Sequence, residues 1–350
     1  MPTNSSPNKA TLASVAQEAG VAASTASLIL NDKASTVGLA AGTILHVKRV
    51  AEKLGYTPNQ NARSLRMRRS GMLGVILSGI PNMIPTQLLA GTRNVLDRSG
   101  QDMSPLLTSH EYDSEREHKE LRFLARNQVE AVIATPMGPY ERNYAPLVAA
   151  GIPVIFAMHG LADAPPEASG IYLDSSANSR IGIEHLAQGG ARRIAYLAWD
   201  FGTLMSSEKL AGVQKGMQEV KSDSSLAGIF IQQPNTSFEA SLDAIFSNAR
   251  NRPDALLCNP FQVAINCLDY LDRKRISVPN ECALLSLNDN PVFEMERISI
   301  SAIAQDTEFI GRRATEVALD QIAARRPQVV REFYSPFSVV TRGTTRSVRS

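Results

Sequence analysis

Residues 12–31 read LASVAQEAGVAASTASLILN. Leu12, Val15, Ala16 and Ala19 recur at i, i+3, i+4 and i+7, which predicts a first helix with one apolar face. Gly20 follows the last apolar position, where a helix commonly ends on a residue at positive φ. A second helix begins after Val21. Its apolar positions are Ala26, Ile29 and Leu30, which leaves Ser24, Thr25, Ser27 and Leu28 facing outward. Two short helices about such a turn make a helix-turn-helix, whose second helix fits the DNA major groove.

The flanking residues extend this unit. After a polar loop, Asp32 to Gly38, a third helix is expected from about Ala40 to Leu54, with Val47, Val50, Ala51 and Leu54 on one face and Gly55 as its stop. Ala40 and Ala41 give its start no capping hydroxyl, a loss of about 1 kcal/mol. Three helices over residues 9–57 can bury one small core, marginal at about 50 residues. Next comes GYTPNQNARSLRMRRS, residues 55–70. Pro58 bars helix at Thr57 and can open one near Asn59. That helix would be shorter than the roughly 12–15 residues needed to stand alone in water, so it forms only when held. Four arginines and an exposed Leu65 point to phosphates and a groove as what holds it.

Charge supports a polyanion partner for this end. The chain of 350 residues has a net charge of only +2, yet residues 1–70 hold nine Lys or Arg against three acids, and the remainder is net acidic. A basic head on an acidic body is the footprint of a nucleic-acid binder. At 43% apolar and 20% charged, the body can hold two or three cored domains. No apolar run approaches eighteen residues, and residues 1–10 lack the apolar centre of a secretory signal, so a cytoplasmic protein with no membrane partner is expected. Cys258, Cys267 and Cys282 have no CxxC or metal spacing and are expected as buried free thiols. The five histidines show no HExxH, and neither a Walker-type glycine loop nor GxSxG occurs; no metal, cofactor or enzymatic activity is expected.

The body reads as α/β. Strand candidates at 72–80, 129–136, 152–158, 193–199, 255–260 and 282–289 alternate with helical patterns such as Thr86–Ser99 and Asn178–Gln188. Such alternation predicts parallel sheets covered on both faces, with ligands at the carboxyl ends of the strands.

The head resembles the lactose-repressor (LacI/GalR) family of bacterial transcription regulators. The matching words, in order, are VAQEAGV, STASLILN, LGYTPN and NARSLR. The resemblance continues through IYLDSSANSRIGIEHLAQGGARRIAYL, VPNECALLSLND, SISAIAQD, IGRRA and VVTRGTT, and covers roughly residues 11–346. It implies an all-α helix-turn-helix head (9–57), a hinge helix (58–70) and a periplasmic-binding-protein-like core (71–346). That core would have two doubly wound parallel-sheet subdomains, at about 71–172 plus 304–330 and about 173–303 plus 331–346. It also implies a repressor that binds a pseudo-palindromic double-stranded DNA operator as a homodimer, with a small-molecule effector in the cleft between subdomains. The alternative is a cytosolic small-molecule-binding protein of the same core with a degenerate head.

Carried over residue by residue, the DNA-facing set is Ala23, Ser24, Thr25, Ser27, Leu28 and Asn31 in the head, with Asn61, Ala62, Arg63, Leu65 and Arg66 in the hinge. Leu65 matches the family's minor-groove wedge, and Thr25 and Ser27 its phosphate-contacting hydroxyls. Leu28 departs: it stands where the family has a base-reading arginine and can touch only a thymine methyl. The effector set is Asn82, Thr135, Met158, Leu173, Lys209, Phe261, Asn288 and Gln305. Lys209 replaces a ligand-clamping arginine, and Met158, Pro260 and Phe261 replace polar groups that orient sugar hydroxyls. The cleft is therefore expected to suit an anionic or partly apolar metabolite better than a simple hexose.

Overall fold

The computed structural model describes residues 10–30, 38–56, 69–79, 83–220, 223–248, 251–324, 328–335 and 337–346. Asn31, the hinge positions Asn61, Ala62, Arg63, Leu65 and Arg66, and Asn82 lie outside these residues. The chain divides into two compact units, Met1–Ser70 and Gly71–Ser350.

In the first unit, α1 (Leu12–Glu18) opens with a reciprocal cap. The Thr11 hydroxyl accepts from the Ser14 amide at 3.2 Å, and the Ser14 hydroxyl accepts from the Thr11 amide at 2.9 Å. Gly20, at φ +63, closes the helix. Its amide donates to Gln17 O and the Val21 amide to Ala16 O, so two otherwise orphaned carbonyls are satisfied within the turn. α2 (Ala23–Leu30) and α3 (Ala41–Lys53) follow, and Gly55 with the Tyr56 amide repeats the same closure after α3. Val15, Ala26, Ile29 and Val47 are wholly buried and form the centre of the head's core. The start of α3 at Ala40 has no side-chain cap, as its sequence predicts. One position is corrected: Ser27 is buried at 7% exposure. α2 packs against both α1 and α3, so its buried arc is wider than a single apolar stripe.

The second unit is built on two six-stranded sheets. Its elements run β1 (Met72–Leu77), α4 (Met83–Arg98), β2 (Ser104–Ser109), α5 (Ser114–Arg126), β3 (Ala131–Ala134), α6 (Tyr140–Asn143), α7 (Ala145–Ala149), β4 (Val154–Met158) and β5 (Ser169–Leu173). After α8 (Ser175–Gln188) come β6 (Arg193–Trp199), α9 (Leu204–Glu219), β7 (Ser225–Gln232), α10 (Glu239–Ser247), β8 (Ala255–Asn259), α11 (Phe261–Arg273), β9 (Ala283–Ser286) and β10 (Ser301–Gln305). α12 (Thr307–Ala323), β11 (Arg331–Tyr334) and β12 (Phe337–Val340) complete it. The first sheet has the order β11-β5-β4-β3-β1-β2, and the second β12-β10-β9-β8-β6-β7. Every pairing is parallel except β10 with β12. The central strands are buried along their whole length, as expected for sheets covered on both faces.

The chain passes between the two lobes three times: after β5, after β10 and after β11. The expected subdomain limits shift accordingly. Leu173 belongs to the first sheet, and β10 stays in the second as far as Gln305. Residues 331–334, expected in the second lobe, pair with β5 at the edge of the first. α12 also belongs to the first lobe, packed on α4 and against β3, β4 and β5. That crossing is set by glycine: a Cβ at Gly311 would lie 2.0 Å from Leu88 O, and one at Gly91 2.0 Å from Glu308 O. Cys258, Cys267 and Cys282 are free, buried and part of one core cluster in the second lobe.

Candidate functional site

Two surfaces matter, one in each unit. In the head, the first residues of α2 are the exposed ones: Ala23 and Ser24 stand in solvent, with Thr25 and Leu28 half-buried beside them. The first turn of α2 carries no acidic residue, which leaves its amide-bearing end open to anions. Lys48, Arg49 and Lys53 on α3 are exposed, and Lys53 lies 3.4 Å from Glu18. Ser27 is turned inward and has less to offer a phosphate than its neighbours.

The second site lies between the two sheets. Its walls come from the residues that follow strand ends: Ser78 after β1, Tyr112 after β2, Thr135 after β3, Met158 and His159 at β4, Phe201 after β6, Asn259 and Pro260 at β8, and Asn288 and Asp289 after β9. Both sheets thus present their carboxyl ends to one cavity, where ligands of open α/β sheets bind. It encloses about 860 Å3 of space, its mouth included. α4 adds Pro85 and Leu88, α9 adds Thr203, Met205, Ser206 and Lys209, and α11 begins with Phe261. Across the cavity the rings of Tyr112 and Phe201, one from each lobe, stack with centroids 4.2 Å apart and planes at 29°.

Thr135, Met158, Lys209, Phe261 and Asn288 line this cavity, as their positions in the sequence suggest. Two expected residues do not. Leu173 is 3% exposed within the first lobe's core, where β5 is sandwiched between β4 and β11. Gln305 lies behind the wall, its amide donating to Leu287 O at 2.9 Å and so fixing the chain just before Asn288. The sequence reading missed Tyr112, His159, Phe201, Asn259 and Asp289. His159, Asn259 and Asp289 sit at predicted strand ends, so the strand-end rule itself could have singled them out.

The electrostatics centre on Lys209, which is 4% exposed. Its ammonium donates to Asn259 Oδ1 at 2.7 Å and forms no ion pair among the described residues. Burial pulls it down from 10.5 to about 8. Asp289 is held by Arg342 in a bidentate pair, at 2.8 and 3.0 Å. His159 donates from Nδ1 to Gly160 O at 3.0 Å, and burial lowers it from 6.5 to about 4, so it is neutral. His110 donates from Nε2 to Thr135 O at 2.8 Å and accepts at Nδ1 from the Tyr112 amide at 3.1 Å. It thereby ties the Tyr112 backbone to the segment holding Thr135. Glu117 on α5 fixes the loop after Thr135. Fully buried, it accepts from the amides of Met137 (2.7 Å) and Gly138 (3.0 Å), from Asn143 Nδ2 (2.6 Å) and from the Tyr144 hydroxyl. Met158 adopts φ +75, a conformation sparsely populated by side-chain-bearing residues and recurrent at ligand sites. Among the described residues no cluster of His, Cys, Asp or Glu could hold a metal ion, and no helix is long and apolar enough to cross a membrane.

Comparison with known proteins gives two family matches in succession. Residues 11–59 match the bacterial regulatory proteins of the lacI family, and residues 183–345 match the periplasmic binding protein-like domain. Catabolite control protein A of Staphylococcus xylosus is 25% identical over 340 residues, which cover 96% of this chain and 99% of that protein. The HTH-type transcriptional regulator PtxS of Pseudomonas plecoglossicida is 25% identical over 324 residues, covering 91% and 92%. Among solved structures, the lac repressor dimer bound to operator and the anti-inducer ONPF superposes with a TM-score of 0.80 at 21% identity, covering 97% of this chain and all of that one. The transcriptional regulator CelR in complex with cellobiose gives 0.68 at 20%, covering 96% and 100%.

Proposed function

Because the chain belongs to the lacI family of bacterial regulatory proteins, we propose that it is a ligand-responsive transcription repressor that binds a pseudo-palindromic operator as a homodimer. The observation that carries this reading is the pairing of a lacI-type head, its α2 open to solvent at Ala23 and Ser24, with a two-lobed core that holds a cavity at the strand ends of both sheets. Relatives support each part. The lac repressor structure is a dimer on operator, and CelR is complexed with a sugar. The family consists of transcription regulators, so no catalytic step is assigned to the cavity; a cytoplasmic location follows from its DNA partner.

Two copies related by a two-fold axis present two heads to two half-sites. In this reading α2 enters the major groove, Thr25 positions it on phosphate, and Leu28 contributes an apolar contact in place of a guanine-reading arginine. Residues 58–70 fold into a hinge helix on DNA, and Leu65 enters the minor groove at the central step, with Asn61, Ala62, Arg63 and Arg66 beside it. The effector contacts both lobes, so it binds one lobe angle more tightly than another. It shifts DNA affinity by that difference.

The test is selection of genomic DNA fragments by the purified protein at moderate salt, with affinity for the enriched sequence then measured against salt. An enriched palindrome with a flexible central step, and affinity falling steeply with salt, is expected. Recovery of no motif and a flat salt response would refute the reading.

A further inference from the structure

Resting on that reading, we infer that the effector is a monocarboxylate with an apolar, hydroxyl-poor body. Its carboxylate is held by Lys209 with the amides of Asn259 and Asn288, and its body lies among Leu88, Met158 and Phe261.

The argument begins with charge. Lys209 is buried, and among the described residues its one hydrogen-bond partner is the neutral Asn259 Oδ1. Asp289, the acid lining the cavity, is already neutralised on both oxygens by Arg342. His159 is uncharged and engaged with Gly160 O, and His110 is engaged at both ring nitrogens. Among the described residues the cavity therefore carries a single uncompensated positive charge, which a monoanion balances and a phosphate dianion exceeds. A neutral sugar would leave that charge buried and unpaired, the arrangement with the largest desolvation penalty.

Hydrogen-bond bookkeeping agrees. An ammonium has three N–H groups, and Lys209 uses one of them within the protein. Asn259 turns its Oδ1 to Lys209, which leaves its Nδ2 to offer, and Asn288 lines the same wall. Lys209 and Asn259 thus keep N–H donors for the cavity, which suits an acceptor-only carboxylate. Sugar hydroxyls need acceptors as well as donors, and three of the lining hydroxyls are already engaged: Thr203 and Ser206 face each other at 3.3 Å at the start of α9, and Thr135 Oγ1 points to Ile76 O at 3.5 Å. Pro85, Leu88, Met158, Met205 and Phe261 add an apolar stretch of wall, which favours a hydrocarbon body. The lowering of Lys209 to about 8 is the same unpaired burial expressed as proton affinity.

The experiment uses the full-length purified chain at pH 7, with thermal unfolding and calorimetric titration. Its probes are 3-phenylpropionate, phenylacetate and hexanoate, each beside its neutral amide, with D-glucose and cellobiose as sugars. At least one acid is expected to raise Tm where its amide does not. Lys209→Met should abolish that shift and weaken the acid at least ten-fold, while Lys209→Arg keeps the preference for acid over amide. The unliganded Lys209→Met protein is expected to melt at or above the wild-type temperature, because an uncompensated charge has been removed. A sugar that stabilises the wild type and Lys209→Met alike, the failure of every acid, or a fall in the Tm of unliganded Lys209→Met would overturn the inference. The DNA selection reads the other question separately: an operator with a sugar response removes the carboxylate and keeps the regulator. The acid–amide contrast is read without DNA.

Discussion

The tightest contact in the core predicts that one substitution has opposite signs at two glycines. At Gly311 an added Cβ would meet Leu88 O at 2.0 Å, whereas real Cβ contacts do not fall below 3.0 Å. Gly311→Ala therefore has to part α12 from α4 by about 1 Å. A gap of that size forfeits a quarter to a half of the dispersion attraction across the contact. The residues carried on these helices include Leu88, Leu96, Ile310, Ala314 and Val317, all in one buried cluster. Overpacking of this kind costs roughly 1–3 kcal/mol, and backbone on both sides argues for the top of that range, about 3 kcal/mol. In a unit of this size that is a fall in Tm of roughly 6–12 °C. At Gly42, in the first turn of α3, an added Cβ meets nothing within 4 Å. Gly42→Ala should stabilise the head by up to about 0.5 kcal/mol, through backbone entropy alone. Thermal unfolding with amide hydrogen exchange over α3 and α12 measures both. An unaltered α12 and Tm in Gly311→Ala would refute the backbone-contact argument. Because α4 also carries Pro85 and Leu88 to the cavity, Gly311→Ala should weaken effector binding as well.

Other outcomes follow from buried charge and from the reading helix. Glu117→Gln keeps the shape but sets an amide against four donors, and should cost about 2–4 kcal/mol in urea unfolding; a loss below about 1 kcal/mol would dismiss the buried carboxylate as a loop anchor. His159 is held neutral down to about pH 4 in the fold but protonates near 6.5 when unfolded. The unfolded chain therefore binds more protons in that window, so stability falls as pH drops from about 6.5 to 4. His159→Gln should flatten that acid limb, and an identical limb would contradict the assignment. Leu28→Arg should add a guanine preference to the selected DNA motif, worth about 1–3 kcal/mol at one position. An unchanged motif would show that this position does not face a base.

Most of the head is legible in its sequence, because its determinants are local. Helical spacing, a glycine at the turn and the missing cap at Ala40 each act within a few residues. Ser27 was misplaced because a second neighbour, α3, widens the buried arc of α2, which a one-sided pattern does not record. In the body, strand runs and the apolar departures at Met158 and Phe261 could be read directly. The assignment of 331–334 could not: REFY and FSVV look like one extended stretch, and only pairing with β5 and with β10, some 160 and 35 residues away, sends them to different sheets. Leu173 and Gln305 failed for a related reason. A strand-end residue can face the cavity or the core, and the side depends on which strand is added beside it.

The return of the chain to both lobes at its far end has a consequence for synthesis. The first lobe's strands β1 to β5 are made by residue 173, but α12, which covers its buried cluster, begins only at 307. At about 5–20 residues per second, that apolar face waits roughly 7–27 seconds on the ribosome for its cover. The last strand of each sheet arrives later still, within ten residues, at 331–334 and 337–340. The nascent chain thus carries two unfinished sheet edges until its final segment emerges. Holdase chaperones have their longest opportunity during this interval, and a stop codon placed just before residue 331 would leave both lobes, not one, without an edge strand.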